Sequence, residues 1–311
     1  MKWSVISAAS LYLWLSHLCI YGYLCNLLRS CLNPDQEPND IYLGQGKYVI
    51  EIIKRFDMME CNPMTIPMIT NLRLLRNSES RLVDPTRYRK LIGSLTYLVN
   101  NICFAVKVLS QSQVEPHHDY CVIAKHILRY LWGTIYHCLK YEKGKDVLLT
   151  WFTDSDWGGS DKDGRSTTRG CFSLRSSMVY LMSRKQETVA LTSVEFEYIA
   201  TCEFSREAVW LRKLLSDLFA GPLAPKTIHC DNTICTRQSK DPVFHGKTKH
   251  INNKYHYIQK VVQDGVLKLE YVPTNEQTAD ILTKSLPNKK LLYFRDKIGL
   301  VDMLSLFEWE R

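Results

Sequence analysis

Four acidic residues from distant parts of the chain are the strongest candidates for chemistry: Asp154, Glu197, Asp231 and Asp280. Asp154 ends an apolar run, Glu197 lies in the first turns of an amphipathic helix, Asp231 closes a strand-like run, and Asp280 falls in a short helical stretch. Each is expected where an element begins or ends. Carboxylates that a fold gathers repel one another unless a cation neutralises them. Because hard divalent ions prefer oxygen ligands, convergence of the four would make a metal site.

Glu197 has a rival in Glu195. The run from Thr192 to Glu195 fits a capping box, in which Thr192 caps the helix and Glu195 reaches back to the N–H of the cap. Glu197 points roughly 200° away from Glu195 around the helix. That direction is shared with Phe204, on the face expected to pack against a sheet, where a carboxylate without a partner is costly. We therefore predict that Glu197 carries the chemistry.

Asp156 is the rival of Asp154, since both alternate to one face of the strand. Asp154 is expected to end the strand, whereas Asp156 precedes Trp157 and two glycines, a pattern typical of a turn. Asp154 is the preferred ligand, with Asp156 as a turn or helper residue.

A zinc site is an alternative near Asp231, because Cys230, Cys235, His245 and His250 have ligand-like spacing. The gap between the two pairs is shorter than usual. Cys230 and Asp231 are also adjacent on a predicted strand and would point to opposite faces. We favour the carboxylates and expect His245, His250 and His256 to line a helix or contact phosphate.

Hydrophobic periodicity predicts the elements that position these residues. The second half reads as mixed α/β, with three successive strands typical of an antiparallel meander. The first half reads as mostly helical structural support. The predicted strands cover residues 147–153, 170–174, 178–182, 226–230 and 267–272, and the predicted helices cover residues 48–56, 88–109, 120–131, 193–218, 248–263 and 277–284.

Composition bounds the class of protein. The 311 residues are 45% hydrophobic and 23% charged, as in an ordinary globular protein, and the net charge of +8 favours a polyanionic partner. Eleven cysteines without a framework spacing favour reduced thiols, hence a cytoplasmic or nuclear protein. The apolar residues 3–28 fit a signal peptide, a membrane span, a buried helix or sequence outside the functional unit, and a membrane location follows only if they insert. Residues 31–40 read as a linker.

Several motifs, in order, resemble the ribonuclease H domain of copia-type (Ty1/copia) retrotransposon Pol polyproteins. The resemblance covers about residues 41–300, and residues 88–95 and 127–131 are similar to the stretch after the polymerase palm of the same polyproteins. The motifs are residues 151–157, 165–167, 183–186, 193–198, 230–232, 242–250, 271–273 and 279–284.

The resemblance implies an α/β, ribonuclease H-like five-stranded mixed sheet flanked by helices and preceded by a mostly helical segment. It further implies that Asp154, Glu197, Asp231 and Asp280 hold two Mg²⁺ ions, with Mn²⁺ as an alternative and no small-molecule cofactor. The implied activity is endonucleolytic cleavage of the RNA strand of an RNA–DNA hybrid, and other Pol or Gag polyprotein parts are implied partners. The residues expected to bind the hybrid are Arg165, Arg184, Lys185, Gln186, Lys247, Lys249 and Lys254.

The predicted organisation is a C-terminal polyprotein fragment. Residues 1–40 form a segment outside the family, 41–144 a reverse-transcriptase thumb- or connection-like remnant, 145–287 the ribonuclease H-like domain and 288–311 a tail. The paired aspartates of a polymerase centre are absent from this sequence, and Asn100-Asn101-Ile102 replaces a slightly longer family stretch. The alternative function is therefore a catalytically silent remnant that at most binds nucleic acid.

Overall fold

The computed structural model describes residues 40–68, 80–98, 102–142, 149–156, 166–174, 176–190, 192–219, 226–231, 233–238 and 252–308. The apolar residues 3–28, with the predictions made for them, lie outside these ranges. Among the described helices, none is both long enough and apolar enough to cross a membrane.

The described elements alternate between helices and strands along the chain. In chain order they are β1 (Ile41–Gly44), α1 (Gly46–Arg55), α2 (Pro85–Thr96), α3 (Cys103–Ser110), α4 (His118–Trp132), β2 (His137–Tyr141), β3 (Leu149–Asp156), β4 (Thr167–Leu174), β5 (Ser177–Lys185), α5 (Ser193–Phe219), β6 (Lys226–Cys230), α6 (Thr233–Gln238), α7 (Asn252–Gln263), β7 (Leu267–Tyr271), a 3₁₀ turn (Thr274–Glu276), α8 (Asp280–Thr283), α9 (Asn288–Lys297), β8 (Leu300–Asp302) and α10 (Met303–Glu308).

The larger sheet has five strands in the order β5-β4-β3-β6-β7. Strands β3, β4 and β5 form the predicted antiparallel meander, while β6 pairs in parallel with β3 and β7 pairs in parallel with β6. Helix α5 packs against β3 and β4. The expected five-stranded mixed sheet with flanking helices is therefore confirmed.

The described part of the first half is mostly helical, as predicted, but it also contains two short strands that were not predicted. Strand β2 pairs antiparallel with β1 on one side and with β8 on the other. The three strands are only three to five residues long, too short for an alternating pattern to stand out. Since β8 comes from residues 300–302, the end of the chain returns to the first half.

Gly170 sets how closely α5 approaches the sheet. A Cβ atom at this position of β4 would clash with the ring of Phe204 and the carbonyl oxygen of Phe152. Phe204 itself is fully buried and stacks on Phe172, with ring centroids 5.3 Å apart. Because Glu197 lies two turns before Phe204 on the same helix, this close packing also fixes how near Glu197 comes to the strands.

Candidate functional site

The parallel pairing of β3 with β6 ends at Thr153 opposite Cys230. Asp154 is the next residue of β3 and Asp231 follows the end of β6, so the two residues lie in neighbouring segments of the chain. Asp154 is 3% exposed and Asp231 is partly buried. The expectation that Asp154 ends its strand was wrong, because antiparallel pairing with β4 continues to Asp156 opposite Thr167. The side chain of Asp156 lies outside the described part of the chain.

Asp280 reaches this end of strands β3 and β6 through a short loop that is anchored by hydrogen bonds. Gln277, which is fully buried, donates from Nε2 to the carbonyl oxygen of Thr153 at 2.8 Å. The backbone N–H of Asp280 in turn donates to the carbonyl oxygen of Gln277 at 3.0 Å. These bonds attach the start of α8 to β3 one residue before Asp154.

Two lysines neutralise the charge at Asp280. Lys284 Nζ lies 2.6 Å from Asp280 Oδ1 and 3.8 Å from Asp154 Oδ2, and Lys290 Nζ lies 3.2 Å from Asp280 Oδ2. Burial would lower the pKa of Lys284, but Asp154, Asp280 and Asp231 outweigh it and raise that pKa. One ammonium group therefore experiences three of the four candidate carboxylates.

Glu197 enters the site from α5. The predicted N-cap is confirmed, since Thr192 Oγ1 accepts a hydrogen bond from the N–H of Glu195 at 3.2 Å. Glu197, which is 8% exposed, offers a carboxylate oxygen that lies within 4.8 Å of ligand atoms of both Cys230 and Asp231. Glu195 is also buried, so burial does not separate the two glutamates. Among the described residues, Glu197 is the one grouped with the site.

Asp231 lies near both Asp280 and Glu197 and so connects the two groups of candidate ligands. Burial raises the pKa of Asp231, and the nearby Asp280 carboxylate raises it further, while Lys284 and hydrogen bonds from its own backbone and Gln277 act in the opposite direction. Asp231 thus interacts with the Asp154–Asp280 side through charge and with Glu197 through proximity. Three carboxylates around one ammonium group, with Glu197 beside one of them, are a donor set that suits a hard divalent cation.

The argument made against Cys230 as a ligand was wrong. Asp231 lies in a bend after β6 instead of continuing the strand, so its carboxylate turns toward the Cys230 thiol rather than away from it. Cys230 Sγ, Glu197 and Asp231 share one group of ligand atoms. His245, His250 and the side chain of Cys235 lie outside the described part, so the zinc pattern that includes them stays an untested alternative.

The residues expected to bind nucleic acid are described only in part. Arg184 is exposed near the end of β5 and pairs with the exposed Glu187 at 3.7 Å. Gln186 is buried and donates from Nε2 to Thr168 Oγ1 at 3.1 Å and to the carbonyl oxygen of Phe196 at 2.9 Å, so its described contacts are internal to the protein. Three residues and two further side chains lie outside the described part, namely Arg165, Lys247, Lys249 and the side chains of Lys185 and Lys254.

Three side chains that hold the site together were not predicted from the sequence, namely Lys284, Gln277 and Lys290. Lys284 carried a usable signal, because it follows Asp280 by four residues, the spacing of a helical ion pair. Gln277 and Lys290 carried none, since their contacts with Thr153 and Asp280 depend on how the loop folds back onto the sheet.

No family model matches this chain. It is 36% identical over 266 residues to the retrovirus-related Pol polyprotein from transposon RE1 of Arabidopsis thaliana, covering 85% of this chain and 18% of that protein. It is 32% identical over 270 residues to the corresponding polyprotein from transposon TNT 1-94 of Nicotiana tabacum, covering 84% of this chain and 20% of that protein. The chain thus spans about a fifth of the length of the curated relatives it matches.

Among solved structures, the chain is similar to the N-terminal RNase H domain of rv2228c from Mycobacterium tuberculosis. The TM-score is 0.34 at 15% identity, covering 48% of this chain and 96% of that domain. A likeness at this level adds no support of its own to the strand order already described. The sequence relatives match along most of the chain, and by that similarity it belongs to the family of retrovirus-related Pol polyproteins from copia-like transposons.

Proposed function

We propose that this chain carries a ribonuclease H-type activity of a retrotransposon Pol polyprotein, the endonucleolytic cleavage of the RNA strand of an RNA–DNA hybrid. The observation that carries the proposal is the gathering of Asp154, Asp280 and Asp231 around Lys284, with Glu197 beside Asp231. Family membership supports the same assignment, since the relatives are transposon Pol polyproteins.

In this proposal Asp154, Glu197, Asp231 and Asp280 hold two Mg²⁺ ions, for which Mn²⁺ is an alternative. The bound ions would activate a water molecule and stabilise the leaving oxygen at phosphorus. The carboxylates present fit this role because magnesium needs only one or two of them per ion and keeps several waters. Gln277 orients Asp280 toward Asp154 through its bond to Thr153, and Lys284 supplies positive charge to the same carboxylates.

The hybrid would lie across the end of the sheet at which the central strand β3 carries Asp154. Strand pairing aligns Ser155 with Thr168 and Thr168 with Arg184, so the Arg184 backbone is about 10 Å from β3, two strand spacings away. An exposed guanidinium at that distance suits a phosphate of a bound strand. Such contacts give affinity without sequence preference, and contacts to 2′-hydroxyl groups would distinguish RNA from DNA. We leave Gln186 out of this surface because its side chain is buried.

The organisation of the chain is part of the proposal. Residues 145–287 would form the nuclease unit and residues 41–144 a remnant of the reverse transcriptase, working inside a cell beside other Pol or Gag parts. Packing supports a close association of the two units, because Ile281 and Leu282 of α8 belong to the same hydrophobic cluster as Ile92 and Leu128.

A cleavage assay on a labelled RNA–DNA hybrid tests the function. The purified chain should cleave the RNA strand with Mg²⁺ and not with a chelator, and Asp154→Asn or Asp280→Asn should lower the rate by about 100-fold or more. Asp264→Asn, at an exposed aspartate after α7, is the matched control and should cleave at the wild-type rate. Hybrid binding without any cleavage would instead support the silent remnant, and cleavage unaffected by either site substitution would overturn the proposal.

A further inference from the structure

A thiol lies among the carboxylates of the candidate site. Cys230 is the last residue of β6 and has no exposed surface. Its Sγ lies within 4.8 Å of a carboxylate oxygen of Glu197 and of Asp231, and those two oxygens are within the same distance of each other. Three donor atoms of two chemical kinds therefore surround one point between α5 and the end of β6.

The spacing of these atoms is close to that of a metal site. Around a tetrahedral Zn²⁺ ion, with bonds of about 2.0 Å to oxygen and 2.3 Å to sulfur, neighbouring ligand atoms lie roughly 3.3–3.5 Å apart. Because the three donors lie within 4.8 Å of one another, each pair needs to approach by at most roughly 1.5 Å, and rotation about side-chain bonds of Glu197 and Asp231 is the route to that change. Three protein ligands with a fourth position left to water are a usual set for zinc.

We propose that Glu197, Cys230 and Asp231 form a binding site for one thiophilic divalent cation, with Zn²⁺ as its natural occupant. Thiolate sulfur favours zinc and cadmium over magnesium, which takes oxygen ligands. On coordination the Cys230 thiol releases its proton to solvent, and the sulfur electron pair forms the bond to the metal. Oxidation states do not change, and no other reactant is needed.

The two sides of the carboxylate group would then have different metal preferences. Asp154 and Asp280 face Lys284 and offer oxygen alone, whereas Glu197 and Asp231 share a sulfur neighbour. A thiophilic ion bound by Glu197 and Asp231 would make these two carboxylates unavailable to magnesium ions that need all four candidate ligands. Zinc is therefore expected to compete with magnesium; this consequence alone rests on the proposed function, while the binding of the thiophilic ion does not.

Cys230 also lies in an apolar cluster with Tyr198 and Ile228, so packing is the alternative explanation of its position. The two explanations predict different effects of replacing Cys230 by serine. Cys230→Ser keeps a small side chain at a packed position but removes the thiolate. Cys202→Ser is the matched control, because Cys202 is buried in the same cluster and is not in the described ligand group.

Cadmium titration of the chelator-treated full chain provides the test, because a cadmium–thiolate bond gives an ultraviolet charge-transfer band that needs no enzymatic activity. The wild type and Cys202→Ser should show one saturable band for this site, and Cys230→Ser should lose it. Glu197→Gln and Asp231→Asn should weaken cadmium binding by about tenfold or more. Circular dichroism identifies any variant that fails to fold, and Cys230→Ala then serves as the second removal of the thiol.

A band of unchanged intensity and affinity in Cys230→Ser or Cys230→Ala would overturn the proposal. Inhibition of hybrid cleavage by Zn²⁺ is measured against the magnesium-dependent rate of each variant. The zinc concentration for half-inhibition should rise by about tenfold when the thiol is removed. A chain that cleaves but shows no such band contradicts the thiophilic site alone, and a chain that binds cadmium through Cys230 but never cleaves contradicts the proposed function alone.

Discussion

Lys284 Nζ donates to Asp280 Oδ1 at 2.6 Å across one turn of helix. The carboxylate of Asp280 is 1% exposed, while the lysine side chain is 46% exposed. The cation is thus the solvent-facing partner of a buried anion. A divalent ion that binds Asp280 and Asp154 has to displace or share this ammonium group, which makes Lys284 an internal competitor of the metal.

Replacing Lys284 by methionine should therefore weaken the fold without divalent ions and strengthen its response to them. Loss of the ammonium leaves Asp154 and Asp280 less neutralised, and we expect the free energy of unfolding to fall by about 1 kcal/mol, a small change because nearly half of the lysine side chain is exposed to solvent. Added Mg²⁺ should raise the melting temperature of Lys284→Met more than that of the wild type. Thermal denaturation with and without Mg²⁺ measures both effects.

Lys289→Met is the control for this substitution, since Lys289 is exposed on α9 and the described contacts of Asp280 are with Lys284 and Lys290. It should change neither the melting temperature nor the response to Mg²⁺. An equal magnesium response in Lys284→Met and the wild type would show that Lys284 does not compete with the metal.

Asp231→Asn should stabilise the metal-free chain at neutral pH. Burial raises the pKa of Asp231 in the folded state above its ordinary value of 3.8, so the folded protein holds this proton more tightly than the unfolded one. Ionised Asp231 therefore lowers stability above its folded-state pKa, and this loss disappears as the pH falls through that pKa toward 3.8. Melting curves should show a higher melting temperature for Asp231→Asn at pH 7 and a shrinking difference on acidification.

Magnesium should reverse that order, because the ion is stabilised by the carboxylate that asparagine lacks. Added Mg²⁺ should raise the melting temperature of the wild type more than that of Asp231→Asn. The idea fails if asparagine lowers the metal-free melting temperature at pH 7, since Asp231 would then be stabilised in its ionised form.

Gln277→Leu should disconnect Asp280 from the sheet. Leucine has a similar size but cannot donate to the carbonyl oxygen of Thr153, which would lose this buried hydrogen bond. We expect a loss of about 1–3 kcal/mol in stability and a larger proportional loss in Mg²⁺ affinity, because Asp280 is no longer held beside Asp154. Calorimetric titration with Mg²⁺ measures the second effect, and Gln263→Leu, at the exposed end of α7, should leave both quantities unchanged.

Much of the second half of the chain could be predicted because its elements are long enough to carry periodic patterns. Helix α5 runs for 27 residues, and its apolar stripe identified both its length and the face toward the sheet. The prediction was incomplete where a contact depends on the fold closing on itself. The hydrogen bond from Gln277 to Thr153 joins residues that are 124 positions apart in the sequence, and no local pattern encodes such a contact.

Short elements and bends account for the other differences. Strand β8 has three residues, fewer than one clear alternation, so its return to β2 could not be foreseen. The face of Cys230 was predicted wrongly because the strand was extended through Asp231, whereas the chain bends there. One residue of strand length reverses the direction of a side chain, and at this position it decides whether a thiol faces the candidate metal site.

Gly170→Ala should disturb the site indirectly, by displacing helix α5, without replacing any candidate metal ligand. The added methyl group meets Phe204 of α5 and the carbonyl oxygen of Phe152, so the helix must move away from β4. Overpacking of this kind lowers stability by about 1–3 kcal/mol, and the displaced helix carries Glu197 with it. We expect a lower melting temperature and a weaker response to Mg²⁺ and Cd²⁺.

Gly93→Ala is the matched control, because its added Cβ meets nothing within 4 Å in the middle of α2 and should stabilise the helix by about 0.5–1 kcal/mol. If Gly170→Ala melts at the wild-type temperature and keeps both metal responses, the close approach of α5 is not what positions Glu197.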